Sequence, residues 1–295
     1  MTMKRHRSFG ASLARSPAFY VLSRVVVFLT IAGIVFPVLY IFSISLRTKE
    51  TVYQDFLLII PKDVTLSNYV DAFQYADKNL GVSFVEMFRN SIICTLIAVG
   101  AATTIAAFGS FSFSNYKFRG KEALYTIIIA SFAIPAQVLL IPLFFILRDL
   151  RLLNSYSAII LPYIGFLIPI ATLILRSFFE QIPGEIKQSA RIDGASDLRI
   201  FLQIILPLAR PAIATCAILL FLETWNEFVF ALVFLQNPKI QTIPVAIAKI
   251  AGSRYMLPLG TYASSIMITI LPILLVFALF QRWFIAGITM GSMKG

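Results

Sequence analysis

The sequence runs to 295 residues, 59% of them hydrophobic and 13% charged, with a mean hydropathy of +0.86 and a formal net charge of +11. A typical soluble domain is roughly 25% charged and about 45–50% apolar, so a soluble globule is excluded. Intrinsic disorder is excluded by 27 Phe, 11 Tyr and 2 Trp. What remains is a polytopic membrane protein. Cys94 and Cys216 each lie inside an apolar run, so neither a disulfide framework nor a metal site is expected.

A hydrocarbon core about 30 Å thick needs about 20 residues of helix. Six apolar runs reach that length, at 25–46, 90–113, 123–147, 157–175, 211–235 and 261–281. They are apolar over more than one face and none alternates with period two, so they read as helices and not as barrel strands. The first is too long for a signal peptide, and no small-residue cleavage site follows it. With the N-terminus inside, segments 1–24, 114–121, 176–210 and 282–295 are cytoplasmic and carry 15 Lys and Arg against four acids. The outer segments 47–89, 148–156 and 237–260 carry 10 against seven acids. This asymmetry, and an acid-free basic segment 1–24, place both termini in the cytoplasm. It also accounts for the net charge without nucleic acid, since no arginine-rich motif with interleaved aromatics is present. Segment 25–281 is then the membrane domain, and 282–295 a cytoplasmic tail. Pro37, Pro135, Pro142, Pro162, Pro169 and Pro272 fall within spans, where each removes a donor and kinks its helix. They mark either irregular packing or broken helices around a cavity.

Segment 176–210 is the longest interior loop and has the grammar of a helical hairpin. Pro183 suits a first helical turn, and Gly194 stands where a left-handed residue would end that helix. Ser196 is placed to cap a second helix, with Asp197 beside its positive N-terminus. Leu198, Phe201, Leu202 and Ile205 then fall at i, i+3, i+4 and i+7, one apolar stripe. Pro207 is expected to stop this helix before the fifth span begins at Pro211. Ser189 and Ala190 are small enough to let another backbone approach near the bend. Two uses fit equally well: docking to a partner, or lying on lipid.

The order Gln188-Ser189-Ala190, three residues, Gly194, nine residues, then Ile204, Leu206 and Pro207 resembles the EAA loop of ABC importer permeases. Asn90-Ser91, Trp225-Asn226-Glu227-Phe228 and the ending from Gln281-Arg282-Trp283-Phe284 to Lys294-Gly295 resemble the maltose-type carbohydrate permeases. Within that family the chain is most similar to the smaller, six-span subunit of a heterodimeric pair. The resemblance implies a type I importer permease fold: six transmembrane helices and a cytoplasmic coupling helix in a bacterial cytoplasmic (inner) membrane. It implies a permease that does no chemistry itself, with ATP and Mg held by two partner ATPase subunits. The other implied partners are a second permease, an extracytoplasmic sugar-binding protein and membrane lipid. Coupling to the ATPases would fall to Glu185, Gln188, Ser189, Ala190, Asp193, Gly194, Ile204, Leu206 and Pro207, with the tail Thr289 to Gly295 reaching the same subunits. The first motif position holds Gln188 in place of Glu, and the second Ser189 in place of Ala; Glu185, one turn earlier, is the acid placed to substitute. The sequence has no Gly-x-x-x-x-Gly-Lys-[Ser/Thr] loop to cradle a nucleotide, and its single histidine, His6, has no partner to make it a ligand or catalyst.

Glu223 and Glu227, four residues apart, are expected on one face of the fifth span, about 18 Å and about 24 Å from Pro211 at 1.5 Å per residue. An ionisable group there needs water or a partner. One role is a hydrogen bond to the second permease or snorkelling to the outer interface beside Trp225. The other is to line the sugar pathway with Trp225, Asn226 and Gln137, since hydroxyls favour carboxylate and amide acceptors and an aromatic face. An ion-coupled secondary transporter is the alternative function, but it calls for inverted repeats, and none is visible. An intramembrane hydrolase built on these acids would need ligands or acid–base partners that the spans lack.

The outer loop 237–260 is long for a helix–helix connection, which usually takes about 2–8 residues. It is either a short interfacial helix sealing the spans or, as in maltose-type relatives, an arm toward the binding protein. In the second case Gly252 and Ser253 supply flexibility, and Arg254 and Tyr255 the contact.

Overall fold

All six apolar runs fold as helices, but two of them are not straight. The computed structural model describes residues 17–54, 59–252 and 257–292, with side chains for 19–54, 59–252 and 257–281. Among these residues, Phe19–Ser45, Phe84–Asn115, Ser157–Phe179 and Leu259–Gln281 are each long and apolar enough to cross a membrane. Two bent pairs raise the number of spans to six. Helices outlast their apolar windows because hydrogen bonding, not hydropathy, ends them. The second span starts at Phe84, not Asn90, where Ser83 and Glu86 form a capping box: Ser83 Oγ accepts the Glu86 N–H at 3.2 Å and Glu86 Oε2 accepts the Ser83 N–H at 3.0 Å.

The third span, expected as one helix over 123–147, is two: Lys121–Ser131 and Ala136–Asp149 meet at 86°. Pro135 supplies the cause. It lacks a donor and excludes helical backbone at Ile134, and the chain restarts in a 3-10 turn at Ala136–Leu139. The fifth span, expected over 211–235, is Arg210–Trp225 followed by a break and a short helix Val229–Phe234. Pro37, Pro162, Pro169 and Pro272 lie inside continuous helices instead.

The chain divides into two compact units, Met1–Ala72 with Arg254–Ile268 and Phe73–Ser253 with Thr269–Gly295. In the first, Ile44, Val52 and Ala263 are buried together with Tyr40, Ile41 and Leu259 packed around them. Asn68 organises it. Its Nδ2 donates to the Ser45 and Arg47 carbonyls at 3.0 and 2.6 Å, and its own carbonyl accepts from Ser264 Oγ at 2.8 Å. Gly260 leaves room for that amide, since a Cβ there would stand 2.6 Å from it. The first span keeps Val25 to Leu29, Ile31 and Ile34 exposed, an apolar flank suited to lipid or to another apolar chain.

The second unit holds the main core, built from the second, fourth and fifth spans. Cys94, Ala98, Ala102 and Ala106 recur every four residues along the second span, and all are buried. A stripe of small residues lets helix backbones approach closely, and Ser110 Oγ donates to the Thr172 carbonyl of the fourth span at 3.2 Å. At the end of the fourth span Arg176 joins it to the third, bonding Glu122 at 3.0 Å and Glu180 at 2.7 Å with its guanidinium 3.8 Å from the Tyr125 ring centroid.

Candidate coupling hairpin and intramembrane polar groups

The loop 176–210 is the expected hairpin. Its first helix is Gly184–Ile192, with Pro183 one position earlier than expected, at the N-cap. Gly194 adopts φ +80°, and the Ala195 N–H bonds the Ala190 carbonyl while the Gly194 N–H bonds that of Arg191, both at 3.0 Å. This is a Schellman ending, in which a left-handed residue lets two following amides satisfy the last carbonyls. Ser196 caps the next helix, its Oγ accepting the Arg199 N–H at 3.3 Å.

Glu185, Gln188, Ser189 and Ile192 fall at i, i+3, i+4 and i+7 and are all exposed, so the hairpin presents one continuous outward stripe. Ile192, 86% exposed at its tip, carries no signal in the motif and was not expected there. Asp193 and Gly194 are also exposed. Ala190 instead turns inward beside Lys187, whose ammonium is held below its usual pKa by burial and then by Arg191. Ile204 and Leu206 pack against the core, and Pro207 is half-buried. The motif thus separates into an outward face and an anchor.

The expected apolar stripe of the second helix is half right. Phe201 and Ile205 are buried, joined by Ile200, whereas Leu198 and Leu202 are 58% and 48% exposed. The inward face is that of Ile200, Phe201 and Ile205, and Leu198, ahead of the π-helical turn over Phe201–Ile205, already faces outward. The helix also continues through Pro207 to Leu208 before bending by 76° into Arg210–Trp225.

Glu223 and Glu227 do not share a helix face, because the fifth span ends at Trp225 between them. Glu223 and Asn226 are exposed, and Asn226 Nδ2 donates to the Leu222 carbonyl at 2.7 Å. Glu227 is turned into the chain. Its carboxyl accepts from Tyr163 Oη of the fourth span at 2.5 Å and from the Phe230 and Ala231 N–H groups at 2.9 and 3.3 Å. It therefore bonds the first amides of the short helix Val229–Phe234, which the break left without partners. Trp225 is 2% exposed and stacks on Phe221 with ring centroids 5.4 Å apart, so it packs the core. Gln137 is exposed in the 3-10 turn at the break of the third span.

The loop 237–260 is mostly helical among its described residues. A 3-10 turn at Pro238–Ile240 leads to a helix Ile243–Gly252, whose Ile243, Val245, Ala246 and Ile250 are buried. Asn90 anchors it, Nδ2 donating to the Lys239 and Gln241 carbonyls at 2.9 and 3.0 Å while Oδ1 accepts from Tyr156 Oη at 2.6 Å. Ser91 Oγ accepts the Ile243 N–H at 2.9 Å. Gly252 closes the helix and is exposed; Ser253, Arg254 and Tyr255 lie outside the described residues, as do the side chains of Thr289 to Gly295.

Residues 101–290 match the family model of the binding-protein-dependent transport system inner membrane component. The chain belongs to this family. It is 36% identical over 260 residues to a trehalose transport system permease protein of Mycobacterium tuberculosis, covering 88% of this chain and 92% of that one. It is 32% identical over 260 residues to a sulfoquinovosyl glycerol transport system permease protein of Agrobacterium fabrum, covering 88% and 89%. The fold is similar to a chain in the crystal structure of a bacterial ABC transporter involved in import of the acidic polysaccharide alginate. There the TM-score is 0.75 at 25% identity, over 96% of this chain and 99% of that chain. The type I permease fold and a multi-pass place in the inner membrane follow from these relations.

Proposed function

We propose that the chain is the transmembrane permease subunit of an ATP-driven importer that takes up a carbohydrate delivered by a binding protein. The relatives span a disaccharide, a glycoside and an acidic polysaccharide, which supports the carbohydrate class and leaves the particular sugar open. One observation carries the division of labour: a well-capped hairpin whose outward stripe Glu185, Gln188, Ser189 and Ile192 is free of the chain's own core. Such a stripe suits docking into a partner ATPase. ATP and Mg belong to a pair of those subunits, whose closure would press on the hairpin and rearrange the spans. Gln188 stands where the motif has a carboxylate, and Glu185, one turn earlier on the same exposed stripe, is the acid that would substitute for it.

A second permease subunit completes the pathway, and the exposed apolar flank of the first span suits that subunit or lipid. Gln137, Glu223 and Asn226 are the exposed polar groups left to meet sugar, while Trp225 and Glu227 shape the frame behind them. The tip at Gly252, Ser253, Arg254 and Tyr255 follows a seated helix and would meet the extracytoplasmic binding protein. No observation favours an ion-coupled carrier. The test is purification: the tagged chain should bring down a second permease and an ATPase, and the reconstituted complex should take up sugar only with ATP and binding protein. A chain that purifies alone and transports under an ion gradient would overturn the proposal.

Orientation follows the excess of Lys and Arg in 1–24, 114–121, 176–210 and 282–295, with both termini in the cytoplasm. Reporters fused after Lys121 or Glu185 should read cytoplasm, and one inserted near Asp71 should read outside. A cytoplasmic signal at Asp71 is incompatible with this topology.

A further inference from the structure

Chain connectivity would hand movement of the hairpin to the fifth span, which follows it directly. That route bends by 76° between Asp197–Leu208 and Arg210–Trp225, and it includes the π-helical turn Phe201–Ile205. A π turn is a local departure from α-helical bonding, often found at functional positions. The hairpin's side chains also reach the cytoplasmic end of the second span, besides an edge contact of Phe201 with Phe179 of the fourth span at 6.5 Å. Asp197 Oδ2 accepts from Tyr116 Oη at 2.7 Å, and Oδ1 accepts from Arg191 Nη2 and Nε at 2.9 and 3.2 Å. Tyr116 closes the second span, its N–H bonded to the Ser112 carbonyl at 3.1 Å, and Arg191 stands in the last turn of the coupling helix. One carboxylate therefore joins the two elements. The hydroxyl of Tyr116, and then Arg191, hold that carboxyl below its usual pKa, so it stays ionised at neutral pH. Four residues along, Phe201 packs against Phe108 and Phe111 of the same span, with ring centroids 4.7 and 4.9 Å away. A polar and an apolar contact about one helical turn apart resist both sliding and rotation of the hairpin on that span.

We infer that Asp197 is a positioning residue for transport, fastening the coupling helix to the second span so that hairpin and span move as one body when the ATPases close. The inference rests on the functional reading above. It is tested in the complete importer with spin labels at Ile97→Cys on the second span and Arg199→Cys on the hairpin, both exposed in this chain and with Cys94 and Cys216 replaced. ATP with Mg is the probe. In the otherwise native chain the label-to-label distance should stay the same with and without ATP. In Asp197→Ala and Tyr116→Phe it should shift and broaden on ATP addition. Tyr116→Phe removes one hydroxyl and leaves the fold intact, so it tests the contact even where Asp197→Ala assembles poorly. Copurification of the ATPase, scored first, reports on the functional reading, and its absence sinks both ideas. An ATPase-bearing complex in which both variants keep the native distances overturns this inference alone, as does a native distance that itself changes with ATP.

Discussion

Glu227→Leu should lower the thermal stability of the importer sharply and reduce its assembly, whereas Glu223→Gln should leave both close to native. The leucine fills similar volume but leaves the Tyr163 hydroxyl and the Phe230 and Ala231 N–H groups without their acceptor. A buried donor stripped of its partner costs about 1–3 kcal/mol, and in the hydrocarbon region little water is at hand to substitute. Losing three such bonds is a large fraction of a total stability of about 5–15 kcal/mol. Glu227→Gln should fall between, since its remaining carbonyl oxygen can still accept from Phe230. Glu223 is exposed, so its replacement removes no internal acceptor. Thermal shift and size-exclusion profiles of the purified variants decide the matter. If Glu227→Leu assembles and melts as the native chain does while its apparent affinity for sugar falls, Glu227 lines the pathway and the structural assignment is wrong.

Gly194→Asp should abolish transport, by at least about tenfold, while membrane insertion persists. Gly194 holds φ +80°, and the space around a Cβ there is open within this chain. The intramolecular penalty is thus confined to left-handed backbone, about 1–2 kcal/mol for an ordinary residue and less for Asp or Asn. That is too little to unfold a helical membrane domain. It falls, however, at the exposed end of the stripe Glu185, Gln188, Ser189 and Ile192, where an added charge would enter the ATPase contact. A loss of docking free energy of about 1.4 kcal/mol already lowers affinity tenfold. Gly194→Asn separates the causes, having the same backbone tolerance and similar size without the charge, and it should retain more transport than the aspartate. Uptake in membrane vesicles, with insertion checked by a fused reporter, is the measurement. Native uptake by Gly194→Asp would mean that this end of the hairpin does not meet the ATPase.

The class of this protein, its spans and its helical hairpin were determined by the sequence itself, for local reasons. A membrane span needs only enough consecutive apolar residues, whatever lies around it. The end of the hairpin's first helix needs only Gly194 in its place, and the next start needs only Ser196, because caps act within a few residues. Tertiary structure decided the rest. Pro135 and Pro142 lie in the same apolar run, and which of them ends a helix is not legible there: the 86° break falls at Pro135, and Pro142 takes the first turn of the helix that restarts, where no donor is needed. Glu223 and Glu227 look alike at four-residue spacing, and Glu227 differs because Tyr163, 64 positions away, meets it across a broken helix. Asn90 stands out in the sequence only by resemblance, and its work is to hold carbonyls 149 and 151 positions away. Half of the apolar stripe Leu198, Phe201, Leu202 and Ile205 stays at the surface, because the packed face is the one on which Phe201 meets Phe108 and Phe111. Hydropathy and caps are properties of neighbours along the chain; which polar group meets which partner is fixed only when distant segments pack, because an unpaired group in a membrane is too costly to leave unmatched.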